Sequence, residues 1–247
     1  MKKNLYFRQM AQREKLNHAA LGQLINFTAY PRLVIEVFIR KNFGERYFTL
    51  ATAQLVLIGL IVIPVFNTKS YIHMDWSTFL VHYATWYLFI AAYYVFSVRR
   101  EREIKREPSV FEFGKYSLYS GDIDPRFYRV NGGKTNIRKI ETSYEPLLFL
   151  IPGIVLALIG QPLGWLLITC SFCYAAGSSA AYKLGDDFVM NTIDEMIFNE
   201  ELEETFVNDK QPEDARGVRF YGRKPADEEN RRKVVSNFTE EETVPLS

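Results

Sequence analysis

Residues 146–182 read PLLFLIPGIVLALIGQPLGWLLITCSFCYAAGSSAAY, 37 positions without a Lys, Arg, Asp or Glu. About 20 helical residues cross a hydrocarbon core, so this run is too long for one ordinary span. Near its middle, Gly160, Gln161, Pro162, Leu163 and Gly164 cluster turn-forming residues. The stretch is expected to form two helices joined by a tight turn. The alternative is one tilted helix preceded by a re-entrant segment, which places everything after it on the other side of the membrane. The first helix of the pair, residues 146–160, reaches only roughly 22 Å against a core of roughly 30 Å. Borrowing residues 143–145 at the interface repairs most of that deficit.

Two further uncharged runs lie upstream, 21 residues at 48–68 and 23 at 76–98. Each matches one membrane span, and the short link between them makes the pair an antiparallel hairpin. The fold class that follows is mainly α: a polytopic membrane protein whose four transmembrane helices form two hairpins, 48–98 and 146–182. A net charge of +1 and a mean hydropathy of -0.11 resemble those of a soluble protein. Those averages mix apolar spans with charged flanks, and the segregation carries the information. Among the first thirty residues, Lys2, Lys3, Arg8, Arg13, Glu14 and Lys15 interrupt any apolar signal-peptide core, so the first span is expected to act as the insertion signal.

Orientation follows the Lys and Arg residues near span ends. Residues 1–47 carry nine and residues 99–145 carry eleven, whereas the 67–75 link carries only Lys69. Both long basic segments are therefore expected in the cytoplasm, and four crossings return the tail from residue 183 to the same side. A bacterial inner membrane is the expected location.

Residues 31–42, PRLVIEVFIRKN, start with Pro and end just before Gly44, as helices tend to. With Arg32, Arg40, Lys41 and Arg46 around it, this stretch suits an interfacial helix on anionic lipid, or a helix packed on the protein's own loop. The basic insert, 99–145, opens with a mixed-charge juxtamembrane stalk. Alternating Phe111, Phe113 and Lys115, then Phe127 to Val130 before Asn131, Gly132 and Gly133, predict a small β-containing unit resting on the tail or a partner.

The tail, 183–247, predicts a helix with nine acidic residues and no basic one between Asp186 and Asp209. It has two apolar stripes: Val189, Ile193, Met196 and Ile197 on one face, Phe198, Leu202 and Phe206 on another. Phe198, Leu202 and Phe206 are candidate partner-docking residues, with packing on the insert as the plain alternative. Order is expected to about Phe220 and disorder beyond Glu228.

Chemistry-bearing patterns are sparse. Gly132-Gly133-Lys134-Thr135 ends like a phosphate loop but has Tyr128 where that motif requires Gly, so a turn is the better reading. Cys170 and Cys173 lie within an apolar span without an adjacent His or acid, which makes them small buried hydrophobes. His82 is the one intramembrane polar candidate, six residues past Trp76 and so near an interface. No deep carboxylate or cation marks an ion pathway, and His18, His73 and His82 form no metal spacing. The expectation is no enzyme, no cofactor, no metal and no nucleic acid.

The spans do carry packing information. Seven small residues, 175–181, include Ala176 with Ala180 and Gly177 with Ala181, small-xxx-small pairs that allow close helix approach. They are candidate helix-packing or homo-oligomer positions. Nine aromatic residues in 76–98 need partners for their hydroxyl and indole groups. The expected role is a scaffold or interaction subunit of a larger membrane-bound assembly, such as secretion or conjugation machinery, contacting lipid and other membrane or cytoplasmic proteins. An oligomeric channel or pore-forming effector gated by its cytoplasmic parts is the alternative.

Overall fold

The computed structural model describes residues 3–4, 6–7, 12–67, 76–107, 114, 116–130 and 136–240. They are mainly helical: α1 (Gln12–Ile39), α2 (Leu50–Asn67), α3 (Trp76–His82), α4 (Ala84–Arg106), α5 (Pro125–Val130), α6 (Ile137–Lys139), a π-helical turn (Ile140–Tyr144), α7 (Glu145–Leu158), α8 (Pro162–Phe206) and α9 (Glu228–Ser236). Two helices are long and apolar enough to cross a membrane, Ile137–Leu158 and Pro162–Phe206, and Leu50–Pro64 is a shorter apolar one. The chain divides into two units, residues 23–180 and residues 1–22 with 181–247.

In the larger unit the last part of α1 runs through the core. Ile35 and Val37 are wholly buried, among Val56 and Leu60 of α2, Trp86 and Tyr93 of α4, and Leu167 and Tyr174 of α8. Phe38 meets the rings of Phe89, Phe96 and Phe149 at centroid separations of 5.2, 5.1 and 6.2 Å. The stretch expected to lie in the headgroup plane is thus a central helix. Its Leu, Val, Ile and Phe residues are distributed round the whole helix, and a helix apolar on all sides is one enclosed by others.

The turn between α7 and α8 is the predicted one. Gly160 takes φ +81°, its N–H reaches the Ala157 carbonyl at 3.0 Å and that of Gln161 reaches Leu156 at 2.9 Å. These two bonds satisfy the last carbonyls of α7 as a glycine-capped helix end does, and Pro162 opens α8 where its missing N–H costs nothing. The helices then touch closely. A Cβ on Gly164 would sit 2.2 Å from the Ala157 nitrogen, and one on Gly153 would sit 3.0 Å from the Leu167 Cβ. The shortness of α7 is repaired upstream, since helical structure continues back through the π-turn to Ile137.

Proline placement explains two other features. Pro64 in α2 has no N–H for the carbonyl four residues earlier, that of Leu60, and the Trp86 indole donates to this oxygen at 2.9 Å. Ahead of Pro146, the widened π-turn brings the N–H of Glu145 to Ile140. The aromatic-rich span predicted at 76–98 is interrupted at Tyr83, which separates α3 from α4.

The insert departs from its β reading. Phe127 and Tyr128 lie in α5, started by Asp124, whose carboxylate accepts from the Arg126 N–H at 2.9 Å. A side-chain N-cap of this kind favours helix over strand. Among the described residues of the insert, the one β-type pairing joins Lys41 to Asp122. Phe111, Phe113, Lys115 and residues 131–135, with the phosphate-loop-like sequence, lie outside the described residues. The insert also rests elsewhere than expected, on the loop after α1. Gly44 donates to Tyr119 at 2.8 Å and Arg46 to Ser117 at 2.9 Å, an approach only glycine permits, because a Cβ on Gly44 would lie 2.4 Å from the Ser117 oxygen.

In the smaller unit, Phe198, Leu202, Phe206 and Val207 are buried under Tyr6, Phe7, Val218, Phe220, Val234, Val235 and Phe238. A two-residue antiparallel pair, Lys3–Asn4 with Thr239–Glu240, joins its two ends. Residues 228–236, expected to be disordered, form α9, whose first turn is capped by Asp227 accepting from Asn230 at 3.2 Å.

Candidate functional site

Charged residues recur at Arg32 and Glu36 of α1 and at Arg40 just past its end, whose N–H still reaches the Glu36 carbonyl at 2.8 Å, a spacing of four that stacks them on one face. Glu36 and Arg40 are 0 % exposed, as is Glu145 at the start of α7. Buried charges persist only when every donor and acceptor is used, and here they are. Arg40 Nε donates to Glu145 Oε1 at 3.2 Å, Nη2 to Glu145 Oε2 at 2.5 Å and Glu141 Oε1 at 2.8 Å, and Nη1 to the hydroxyl and carbonyl of Ser120 at 3.0 and 3.4 Å. That accounts for all five guanidinium hydrogens. The Tyr174 hydroxyl donates to the second Glu145 oxygen. Glu36 accepts from Arg32 Nε and from the Tyr47 hydroxyl at 2.6 Å, and Arg32 lies 4.7 Å from the centre of the Tyr174 ring.

This cluster ties together α1, the loop at Tyr47, the insert at Ser120, the π-turn at Glu141, α7 and α8. Desolvation opposes the charge on Arg40, but Tyr174, Glu36 and Glu145 outweigh it and raise the pKa above the usual arginine value. Burial, reinforced by Glu36, raises that of Tyr47, keeping its phenol a proton donor. A second arginine completes the end of α1. Arg100, 4 % exposed, donates to the Val37 carbonyl at 3.0 Å and to Glu103 at 2.7 Å, satisfying one of the carbonyls a helix leaves unpaired in its last turn. Chemically this is a clamp that positions helices: among the described residues both carboxylate oxygens of Glu36 and of Glu145 accept from Arg32, Arg40, Tyr47 or Tyr174.

Of the four predicted packing residues, Gly177 and Ala180 are buried and Ala176 and Ala181 are exposed. A Cβ on Gly177 would lie 2.4 Å from Thr28 Oγ1 of α1. Thr28 donates its hydroxyl hydrogen back to the Leu24 carbonyl at 2.8 Å, and the same oxygen sits against the glycine. His82 ends α3 half-buried, its ring edge-on to Tyr83 at 5.0 Å. Among the described residues no group of His, Cys, Asp and Glu side chains is arranged to hold a metal ion.

No family model, curated protein or solved structure matches the chain.

The predicted docking stripe and the observed exposed stripe are different faces of α8. Phe198, Leu202 and Phe206 are 8, 2 and 1 % exposed, whereas Val189, Ile193 and Met196 are 54, 43 and 49 % exposed. Tyr6 stacks on Phe220 at 4.4 Å and on Phe198 at 5.7 Å, and Asn4 donates to Glu195 and Asn199, each at 2.8 Å. The first stripe is therefore the core of the smaller unit. Sequence reasoning separated the two stripes but gave the docking role to the one that is buried, because the covering aromatics come from residues 6–7 and 218–238.

The buried clamp was missed altogether. Arg32, Glu36 and Arg40 at intervals of four, with Glu141 and Glu145 at the same interval before an apolar run, was the available signal. Reading those charges as membrane-surface residues concealed it.

Proposed function

We propose that the chain is an integral membrane scaffold subunit of a larger membrane-bound assembly, such as secretion or conjugation machinery, recruiting partners through cytoplasmic elements. The observation that carries this reading is the outward apolar surface of the helices. Leu55 and Ile58 on α2, Leu88 on α4, and Ile151 and Leu158 on α7 are 63, 62, 72, 62 and 83 % exposed. Bands of aliphatic side chains on several helices are costly in water and suit lipid.

On this reading four crossings, through α2, α3 with α4, α7 and the first half of α8, leave both termini in the cytoplasm of a bacterial inner membrane. The buried ion clamp lies toward the cytoplasmic ends of the spans and fixes their packing. It supports a structural role over a catalytic one, since its donors and acceptors are spent on one another. α8 carries the argument outward: one unbroken helix of 45 residues is apolar in its first half and acidic in its second.

The test is isolation of the full chain from its native membrane in mild detergent. A scaffold subunit co-purifies with fixed stoichiometric partners and stays in the membrane after carbonate extraction. A chain that purifies alone, or that carbonate releases, contradicts the proposal.

A further inference from the structure

We propose that α2 is the contact between two copies of this chain, joined side by side in the membrane through a reciprocal pair of Gln54 amides. This rests on α2 being a membrane span and goes beyond the scaffold reading, which leaves the chain's own stoichiometry open.

Gln54 lies inside the uncharged run 48–68, between Ala53 and Leu55, and is exposed on α2. Ile58 and Ile61 follow it at i+4 and i+7, one stripe of the helix, and are 62 and 46 % exposed. The stripe is thus an outward row of aliphatic side chains with one amide in it. Among the described residues no group hydrogen-bonds to that amide. A second observation comes from the shallow groove beside it, which Leu50, Ala53 and Gln54 of α2 line together with Tyr93, Tyr94 and Ser97 of α4. Tyr93 and Ser97 are 0 and 2 % exposed, and neither hydroxyl makes a hydrogen bond of good geometry among the described residues. Both hydroxyls are enclosed between the helices, while Gln54 stands on the outer edge of the groove.

The amide selects its occupant. A carboxamide carries two donor hydrogens and an acceptor oxygen, and in hydrocarbon none of them finds water. Acyl chains have neither donor nor acceptor to give, so what covers this face brings a polar group to the same depth. A second copy does so by construction. Copies inserted by the same basic flanks share one orientation, and a two-fold axis along the membrane normal sets each residue of one against the same residue of the other. Gln54 is then its own complement, the NH₂ group of each donating to the carbonyl of the other. With no charge anywhere in 48–68, the two spans meet without repulsion. One amide within an aliphatic stripe also fixes the register, as a lone buried Asn does in a coiled coil, and Ile58 and Ile61 pack on their counterparts.

The test uses the full chain in its native membrane, with Cys170→Ala and Cys173→Ala as background and Ile58→Cys as the probe. Copper phenanthroline oxidises facing thiols to a disulfide, and Ile151→Cys on α7, where Ile151 is also 62 % exposed, is the control. A dimer is expected with Ile58→Cys and none above background with Ile151→Cys. The strength of association is read by energy transfer between labelled copies diluted in phosphatidylcholine vesicles. Gln54→Leu suits lipid and leaves the fold in place, yet should weaken association about tenfold, and Gln54→Asn, which keeps the amide, should restore part of it. Equal cross-linking at the two cysteines, or association unchanged by Gln54→Leu, overturns the proposal. So does a wild-type chain that stays monomeric, or a cross-linked product at Ile58→Cys that contains another protein in place of a second copy. If carbonate releases the chain, the membrane reading falls and this inference with it, whereas a monomer retained in the membrane removes this inference alone.

Discussion

At the scale of single residues, Arg40 is the position on which most elements converge. Removing one member of a buried ion pair leaves its partner's charge without compensation, a loss of about 3–5 kcal/mol. Arg40→Met fits the volume but strands Glu141 and Glu145, so a fall in melting temperature is expected in detergent, read by tryptophan fluorescence during heating. Pairing it with Glu145→Gln should restore part of the loss, and additive effects of the two changes would show that they do not interact. Tyr93 presents the opposite case. Its ring is buried, and its hydroxyl lies near that of Ser97 without either making a hydrogen bond of good geometry among the described residues; an orphaned buried polar group costs about 1–3 kcal/mol. Tyr93→Phe is therefore expected to leave stability unchanged or raise it, and a clear loss would show that the hydroxyl has a partner after all.

At the scale of elements, glycine and proline decided what could be read from sequence. The α7–α8 turn was legible because Gly160 and Pro162 serve as helix stop and start within an otherwise featureless apolar run. The close approach at Gly177 was legible from the small-residue run. By contrast, α5 was misread as strand because Phe127 and Tyr128 favour strands, while Asp124 at the cap and the dock on Gly44 decided for helix. The central place of α1 was hidden in the same way: its charges looked like a lipid-facing fringe, yet each has its counter-charge more than a hundred positions away or across a helical turn. Gly164 gives the sharpest test at this scale. A methyl group there meets the Ala157 backbone, which cannot swing aside as a side chain can, so Gly164→Ala should separate α7 from α8 and cost about 1–3 kcal/mol. Gly160→Ala strains only one left-handed residue and should cost about 1 kcal/mol. Equal losses for the two variants, measured by thermal unfolding, would mean that the helices are not in contact at Gly164.

At the scale of the whole molecule, the interior of residues 23–180 is filled by Ile35, Val37 and Phe38 of α1. A pore would therefore have to form between copies, as the oligomeric channel alternative requires. The smaller unit should respond to acid. Hydrogen bonds from Lys210, then Arg216, hold the Glu201 carboxyl below its ordinary 4.5, and those from Lys224 and Arg231 hold Asp209 below 3.8. Carboxyls lowered in the folded state stabilise it above their unfolded values and lose that contribution as pH falls through the folded ones. Amide exchange across residues 205–217, corrected for its intrinsic pH dependence, should stay flat above about pH 5 and accelerate below about pH 4.

The proposed two-hairpin topology makes a prediction of a different kind, because on that proposal the turn at Gln161 and the exposed positions Asn17 and Asn208 lie on opposite sides of the membrane. In a chain carrying Cys170→Ala and Cys173→Ala, single replacements Asn17→Cys, Gln161→Cys and Asn208→Cys give three thiols for a membrane-impermeant maleimide. Intact cells should label only the Gln161→Cys variant, while permeabilised cells should label all three. Labelling at Asn208→Cys from outside, with Asn17→Cys protected, would mean an odd number of crossings, and the acidic half of α8 would then face away from any cytoplasmic partner.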